Sequence, residues 1–257
     1  ILNVVEKLTY AFSTKVYPNS FGLEKIILDH NFIDQSKLKV IGNGSSNGID
    51  LEHFDPNLFS REDNHALRKE LNIAENDFVF INVGRMVTDK GINELVEAFC
   101  KIQETFKETK LLLLGEFEEK LDPLFPETME KIKNNPNINY LGWQWDVRPY
   151  FAISNMLAFP SYREGFPNVV MQAGAMGLPS IVSDINGCNE IIINGQNGCI
   201  IPPKSTEHLY NAMVESLKNG TSKFKNVRES IATRFDRSVI WNAILAEYDS
   251  LTPNQKK

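Results

Sequence analysis

The chain has 257 residues, a formal net charge of −6, 42% hydrophobic and 23% charged residues, proportions that exclude disorder along its whole length. The acidic balance gives no support to nucleic acid binding, which leaves a basic footprint, so an anionic ligand has to be met by local cations. No run approaches the ~20 apolar residues of a membrane span and no signal peptide leads the chain, so a soluble, cytoplasmic protein is expected.

The chain opens at Ile1 without Met, in what reads as a helix and strand, and the expectation is a piece lacking its natural N-terminal part. Ala11 to Tyr17 reads as a strand, Ser20 caps a helix through Asp29, and Leu38 to Ile41 reads as another strand. Three glycines then break regular structure between Ile41 and Asp50, which reads as an interdomain hinge followed by an irregular connection to about Asn76.

From Phe78 onward β-rich runs alternate with helical patterns, the signature of βαβ units and a doubly wound parallel α/β sheet. The strands expected are Phe78 to Val83, Lys110 to Leu114, Ile138 to Leu141, Met156 to Pro160, Ser180 to Ser183 and Cys199 to Ile201. Helical spacing predicts helices at Ile92 to Phe106, Glu127 to Asn134, Trp145 to Ile153, Pro167 to Met176, Asn189 to Ile193 and Glu207 to Lys218. Asp236 caps a last helix, Asp236 to Leu251, expected to dock at the terminus.

Ligands of open parallel sheets bind beyond the carboxyl ends of the strands. Arg85 and Lys90 follow the first long strand and stand on that edge; Gly84 lets backbone approach closely, Arg85 offers a planar fork and Lys90 a compact charge to phosphate. An ordinary surface Arg and Lys is the plainer alternative, and on these residues alone it prevails. Glu164-Gly165-Phe166-Pro167-Asn168 follows the fourth strand, with Pro167 suited to the first position of a helix. The free amides of Gly165, Phe166, Asn168 and Val169 would then form an anion site at the positive end of the helix dipole.

Glu164 is placed to accept from sugar hydroxyls, and Gln172, eight positions on, reads on its own as a partly exposed polar residue. Gly174 inside a helix suggests close packing or a nearby ligand, whereas Asn194-Gly195 and Asn197-Gly198 read as plain turns. Asn186 to Glu190 could form a loop over the site, with Glu190 as a cap of its own short helix the slightly stronger reading. Trp143 and Trp145 could wall a base or sugar, with core or rim packing the stronger reading, and the four histidines are scattered. Cys100, Cys188 and Cys199 form neither a metal spacing nor an even disulfide framework and read as buried apolar residues in a reducing compartment.

Jointly these motifs resemble the nucleotide-sugar-binding half of a retaining glycosyltransferase of family 4, with the GT-B fold of two Rossmann-like domains. The resemblance covers nearly the whole chain. It rests on Asn47 to Asp50 with Phe54, Val83-Gly84-Arg85, Lys90-Gly91, Leu111 to Gly115 and Tyr140-Leu141-Gly142. Pro160-Ser161, Glu164 to Asn168, Ala173 to Pro179, Glu190 and Asn197-Gly198 complete it.

It implies that Arg85 and Lys90 bind the donor pyrophosphate and stabilise the leaving nucleoside diphosphate, and that Glu164 contacts the donor sugar. Amides from Gly165 to Val169 would hold phosphate, main chain around Leu141 and Gly142 would meet the base, and no divalent metal or other cofactor is implied. The family pattern has a second Glu after seven residues; Gln172 stands there, which puts ribose affinity in question. Residues 1–45 would be the tail of an N-terminal Rossmann-like domain plus hinge, 46–235 the donor-binding domain and 236–257 a docking helix and tail. The parent would be a hexosyltransferase of bacterial surface polysaccharide synthesis, passing sugar to a saccharide or lipid-linked acceptor held by the missing domain. Peripheral association with the inner face of the membrane fits that reading, and the isolated chain would be inactive. A phosphorylase would need a lysine for pyridoxal phosphate, and none is recognisable; a non-catalytic nucleotide-sugar-binding or scaffold protein is the other alternative.

Overall fold

The computed structural model describes residues 2–118 and 120–252, and these form eleven α-helices, three short 3-10 turns and six strands. The first three helices are α1 (Leu2–Ala11), α2 (Phe21–Asp29) and α3 (Arg61–Glu70). The alternating part then runs β1 (Phe78–Val83), α4 (Ile92–Gln103), β2 (Thr109–Leu114), α5 (Pro126–Asn134), β3 (Ile138–Gly142), α6 (Arg148–Ala152) and β4 (Met156–Phe159). It continues through α7 (Asn168–Ala175), β5 (Ser180–Ser183), α8 (Cys188–Ile191), β6 (Gly198–Ile201), α9 (Thr206–Asn219), α10 (Val227–Phe235) and α11 (Arg237–Leu251).

All six expected strands are present and every pairing is parallel, in the order β3-β2-β1-β4-β5-β6. Strands such as β2 are buried along their full length, as a sheet covered on both faces requires. Successive residues therefore serve different cores. Val79 and Ile81 of β1 pack with Met171, Ile231 and Phe235 from α7 and α10, while Phe80 packs with Leu95, Phe99, Leu209 and Met213 from α4 and α9. The strand order reverses between β1 and β4, and there the connections leave toward opposite faces and open a crevice.

Several local expectations are corrected. Residues 61–70 are helical, capped by a reciprocal box between Ser60 and Asp63, although only Ala66 and Leu67 are apolar. Residues 227–235 form a helix that begins without a side-chain cap, at Asn226 in a left-handed conformation. Its Arg228 donates to the carbonyls of Leu51, Phe54 and Ala175, fastening the connection before α3 to the end of α7. Ala11 belongs to α1, and the two strands expected near the start shrink to one bridge between Val16 and Leu38. The helix expected from Trp145 begins at Arg148, since Asp146 caps the turn before it by accepting from the Arg148 N–H at 3.0 Å.

Helix α11 touches the first segment of the chain. Glu247 accepts from the Tyr17 hydroxyl at 3.0 Å and pairs with Lys39, and Ile49 forms a parallel bridge with Asp236, its carbonyl accepting from the Arg237 N–H at 2.9 Å. Residues 253–257 of the expected tail lie outside the described residues.

Gly174 is a packing glycine: a Cβ there would lie 2.5 Å from Ile231 Cγ1, so α7 and α10 touch backbone to side chain. Gly174→Val is expected to lower unfolding stability by about 2 kcal/mol, read from urea midpoints, because the helices must separate. A shift within about 0.5 kcal/mol of zero, the ordinary surface range, would contradict that packing role.

Candidate functional site

Lys90 ends a short 3-10 turn, Thr88–Lys90, that follows β1, and Gly91 then enters α4 with a positive φ of 68°. A Cβ on Gly91 would stand 2.2 Å from the Pro160 carbonyl oxygen, so only glycine lets the β1 and β4 exits cross this closely. The crossing is reinforced by the Tyr162 N–H, which donates to the Asp89 carbonyl at 2.8 Å, and by Arg163, whose Nε donates to the Asp89 carboxylate at 2.7 Å. The turn is braced from the other side, where the Asp89 N–H donates to Asp122 at 2.7 Å and the Thr88 hydroxyl to the Pro123 carbonyl at 2.7 Å.

The result is direct contact between two predicted site residues: Lys90 Nζ pairs with Glu164 Oε1, their side chains 18% and 14% exposed. Buried Ser161, which sequence reasoning named only within the motif, donates its hydroxyl to the same Oε1 at 2.8 Å. Both interactions fall on one carboxylate oxygen. Tyr162 is tied down as well: its hydroxyl donates to Glu94 at 2.5 Å, and burial followed by the Glu94 carboxylate pushes its ionisation well above the tyrosine range.

Arg85 points elsewhere. It pairs with Glu118, beyond β2, and remains 61% exposed. Gly84 has open space around its Cβ position, and the close approach expected of it belongs to Gly115, whose Cβ would sit 1.8 Å from the Gly84 carbonyl oxygen. That contact seats the β1 exit on the β2 exit, and the Gly115 N–H donates onward to the Gly142 carbonyl at 2.8 Å.

Pro167 is the residue before α7 rather than its first residue, with extended backbone, so Asn168 opens the helix. Asn168 and Val169 consequently contribute first-turn amides, which have no intrahelical acceptor. Gly165 and Phe166 lie in the preceding loop, where Phe166 packs edge-on against Phe235 at 5.4 Å. Gln172 is half-buried within α7. Leu141 and Gly142 end β3, with the Leu141 carbonyl accepting from the Gln144 side chain at 2.7 Å.

Trp143 and Trp145 are exposed on the rim past β3, in an edge-to-face pair with centroids 4.2 Å apart, so core packing does not apply to them. Asn197 is more than a turn residue: nearly fully buried, its side chain accepts from the Ile193 N–H at 2.7 Å. Of the cysteines, Cys188 alone is fully buried, and burial together with the Glu164 charge pushes its thiol ionisation up while Lys90 opposes the shift.

The arrangement offers two cations, a carboxylate and the amino end of a helix along the carboxyl edges of β1, β2 and β4. Such groups suit a phosphorylated ligand bearing hydroxyls.

The family described as Glycosyl transferases group 1 matches residues 63–234. The capsular polysaccharide biosynthesis glycosyltransferase CapM of Staphylococcus aureus is 30% identical over 97% of this chain and 65% of its own length. The N,N'-diacetylbacillosaminyl-diphospho-undecaprenol alpha-1,3-N-acetylgalactosaminyltransferase of Campylobacter jejuni is 26% identical over 99% of this chain and 65% of its own. The chain thus spans about two thirds of the length of these curated relatives. Among solved structures, Anabaena Alr3699/HepE in complex with UDP superposes with a TM-score of 0.84 at 24% identity, covering 97% of this chain and 67% of that one. A Rickettsia africae glycosyltransferase does so with 0.84 at 22% identity, covering 99% and 69%. These likenesses show the fold, the Rossmann-like architecture of GT-B proteins. By sequence, the chain belongs to the group 1 glycosyl transferases.

Proposed function

We propose that this chain is the donor-binding part of a retaining glycosyltransferase of family 4, which moves a sugar from a nucleoside-diphosphate donor to a saccharide or lipid-linked acceptor. The observation that carries the reading is the Lys90–Glu164 pair set just ahead of the amino end of α7. The names of the relatives, one from capsular polysaccharide synthesis and one acting on a diphospho-undecaprenol acceptor, support bacterial surface polysaccharide as the product class.

In this reading the first-turn amides of α7 and the Lys90 ammonium receive the diphosphate, and Arg85 turns from Glu118 to its outer oxygens. As the bond to the sugar breaks, charge grows on the leaving diphosphate, and preorganised donors that need no reorientation lower the barrier. The protein's own cations do this without a divalent metal. Glu164 has Oε1 occupied by Lys90 and Ser161, which leaves Oε2 to accept from a hydroxyl of the donor sugar. Main chain at Leu141 and Gly142 meets the base and Gln172 the ribose. Residues 1–45 close the hinge side, and the acceptor is held by a part of the protein N-terminal to this chain. Gln172 in place of a carboxylate favours one second reading, a domain that binds nucleotide sugar without turnover.

Lys90→Ala is expected to weaken binding of a nucleoside diphosphate by about tenfold or more in calorimetry, the loss of a charge-assisted contact. Binding of the bare nucleoside should change little. Arg85→Ala should cost less, since Arg85 is more exposed, whereas removing Lys90 also leaves the Glu164 charge facing the phosphates. Equal losses for nucleoside and nucleoside diphosphate would contradict the assignment.

Gln172→Glu is expected to leave affinity for the nucleoside portion unchanged or tighten it by up to about tenfold, through charge-assisted bonds to ribose. A large loss in the same titration would show that Gln172 serves another purpose.

A further inference from the structure

We infer that Glu190 is a positioning residue that couples the α2 segment to the loop bearing Glu164; the inference rests on the donor-site reading above. Three main-chain segments, distant in sequence, meet beside the site: residues 19–22, 164–166 and 186–190. Small residues let them meet. A Cβ on Gly187 would lie 2.5 Å from the Gly165 carbonyl oxygen and 2.9 Å from Phe166 Cα. A Cβ on Gly22 would lie 2.5 Å from Asn186 Oδ1, and one on Gly44 would lie 2.7 Å from the Asn19 carbonyl oxygen and 3.0 Å from the Phe166 ring.

Polar contacts then lock the junction. The Asn186 amide donates to the carbonyls of Glu164 and Gly165, each at 2.9 Å. The Glu190 carboxylate accepts from the N–H groups of Phe21 at 2.8 Å and Gly22 at 3.0 Å, and from Gly187 at 3.3 Å. Phe21 and Gly22 open α2, so their amides lack intrahelical acceptors and carry the positive end of its dipole. The Ser20 hydroxyl accepts from the Leu23 amide, at 3.1 Å, and leaves those of Phe21 and Gly22 to Glu190. One carboxylate therefore satisfies two amides of α2 and one of the turn on which Glu164 rests.

The expected cap of α8 accounts for the Gly187 contact alone; the two shorter contacts bridge 168 or more positions of sequence and are tertiary. Deleting the carboxylate frees the 186–187 turn from α2, and the Glu164 loop, hung on Asn186 and pressed on Gly187, loses its fixed position. A simple structural staple would change stability only. A coupling element must also transmit ligand binding, because linkage between two regions is reciprocal.

The test uses the 257-residue chain. UDP, GDP and ADP are titrated in turn by calorimetry, and amide hydrogen exchange at Phe21 and Gly22 is measured with and without whichever binds. In the wild-type chain the ligand should slow exchange at both amides by about fivefold or more. In Glu190→Ala the slowing should vanish and diphosphate affinity should fall by about fivefold, with Glu190→Gln, which keeps one carbonyl acceptor, in between. Ligand binding without any slowing in the wild-type chain overturns the coupling, as does unchanged slowing and affinity in either variant. Should the alanine variant fail to fold, the wild-type exchange and the glutamine variant still decide. If none of the three diphosphates binds the wild-type chain, the donor-site reading falls and this inference with it.

Discussion

The close passage of Gly91 over the Pro160 carbonyl is the constraint from which the site follows. The sheet order makes β1 and β4 neighbours, so their exits leave side by side, but the passage brings those exits into backbone contact. A side chain at Gly91 would push them apart, and Lys90 would lose Glu164. Asp89 strengthens the same crossing twice, accepting main-chain and side-chain donors from Tyr162 and Arg163. Packing of the backbone, rather than attraction between the charges, sets their separation.

The electrostatics follow from that geometry. A partly buried ion pair adds little net stability, because desolvation offsets most of the Coulomb gain. Its effect here is orientation: Lys90 and Ser161 both engage Oε1 and so fix the Glu164 carboxylate on one side. Arg85 stands in contrast, exposed and held by Glu118, so its attachment is weak.

Much of the sheet was legible because each strand is a short β-rich run whose two faces feed separate cores, which makes the pattern locally consistent. The charged helix α3 was not, since tertiary contacts by Leu67 and a Ser60–Asp63 box stand in for the missing apolar stripe. Helix α10 follows Asn226, whose side chain makes no cap hydrogen bond, and its weakly patterned stretch was passed over despite the Asn226 and Glu229 spacing. At the site, Lys90, Glu164 and the α7 terminus were placed on one edge because each follows a strand of a parallel sheet. Glu118 as partner of Arg85, Gly115 rather than Gly84 as the close-approach residue, and Glu190 as acceptor for α2 are long-range contacts that no local spacing encodes. The Pro160-Ser161 pair was the one available signal for Ser161.

The central claim is that the Lys90 ammonium and the first-turn amides of α7 serve one anion. Amide resonances followed during titration with a nucleoside diphosphate test it directly. The account predicts that the Asn168 and Val169 N–H signals move downfield with the diphosphate and stay in place with the bare nucleoside. Saturable diphosphate binding that leaves both amides unmoved would contradict it.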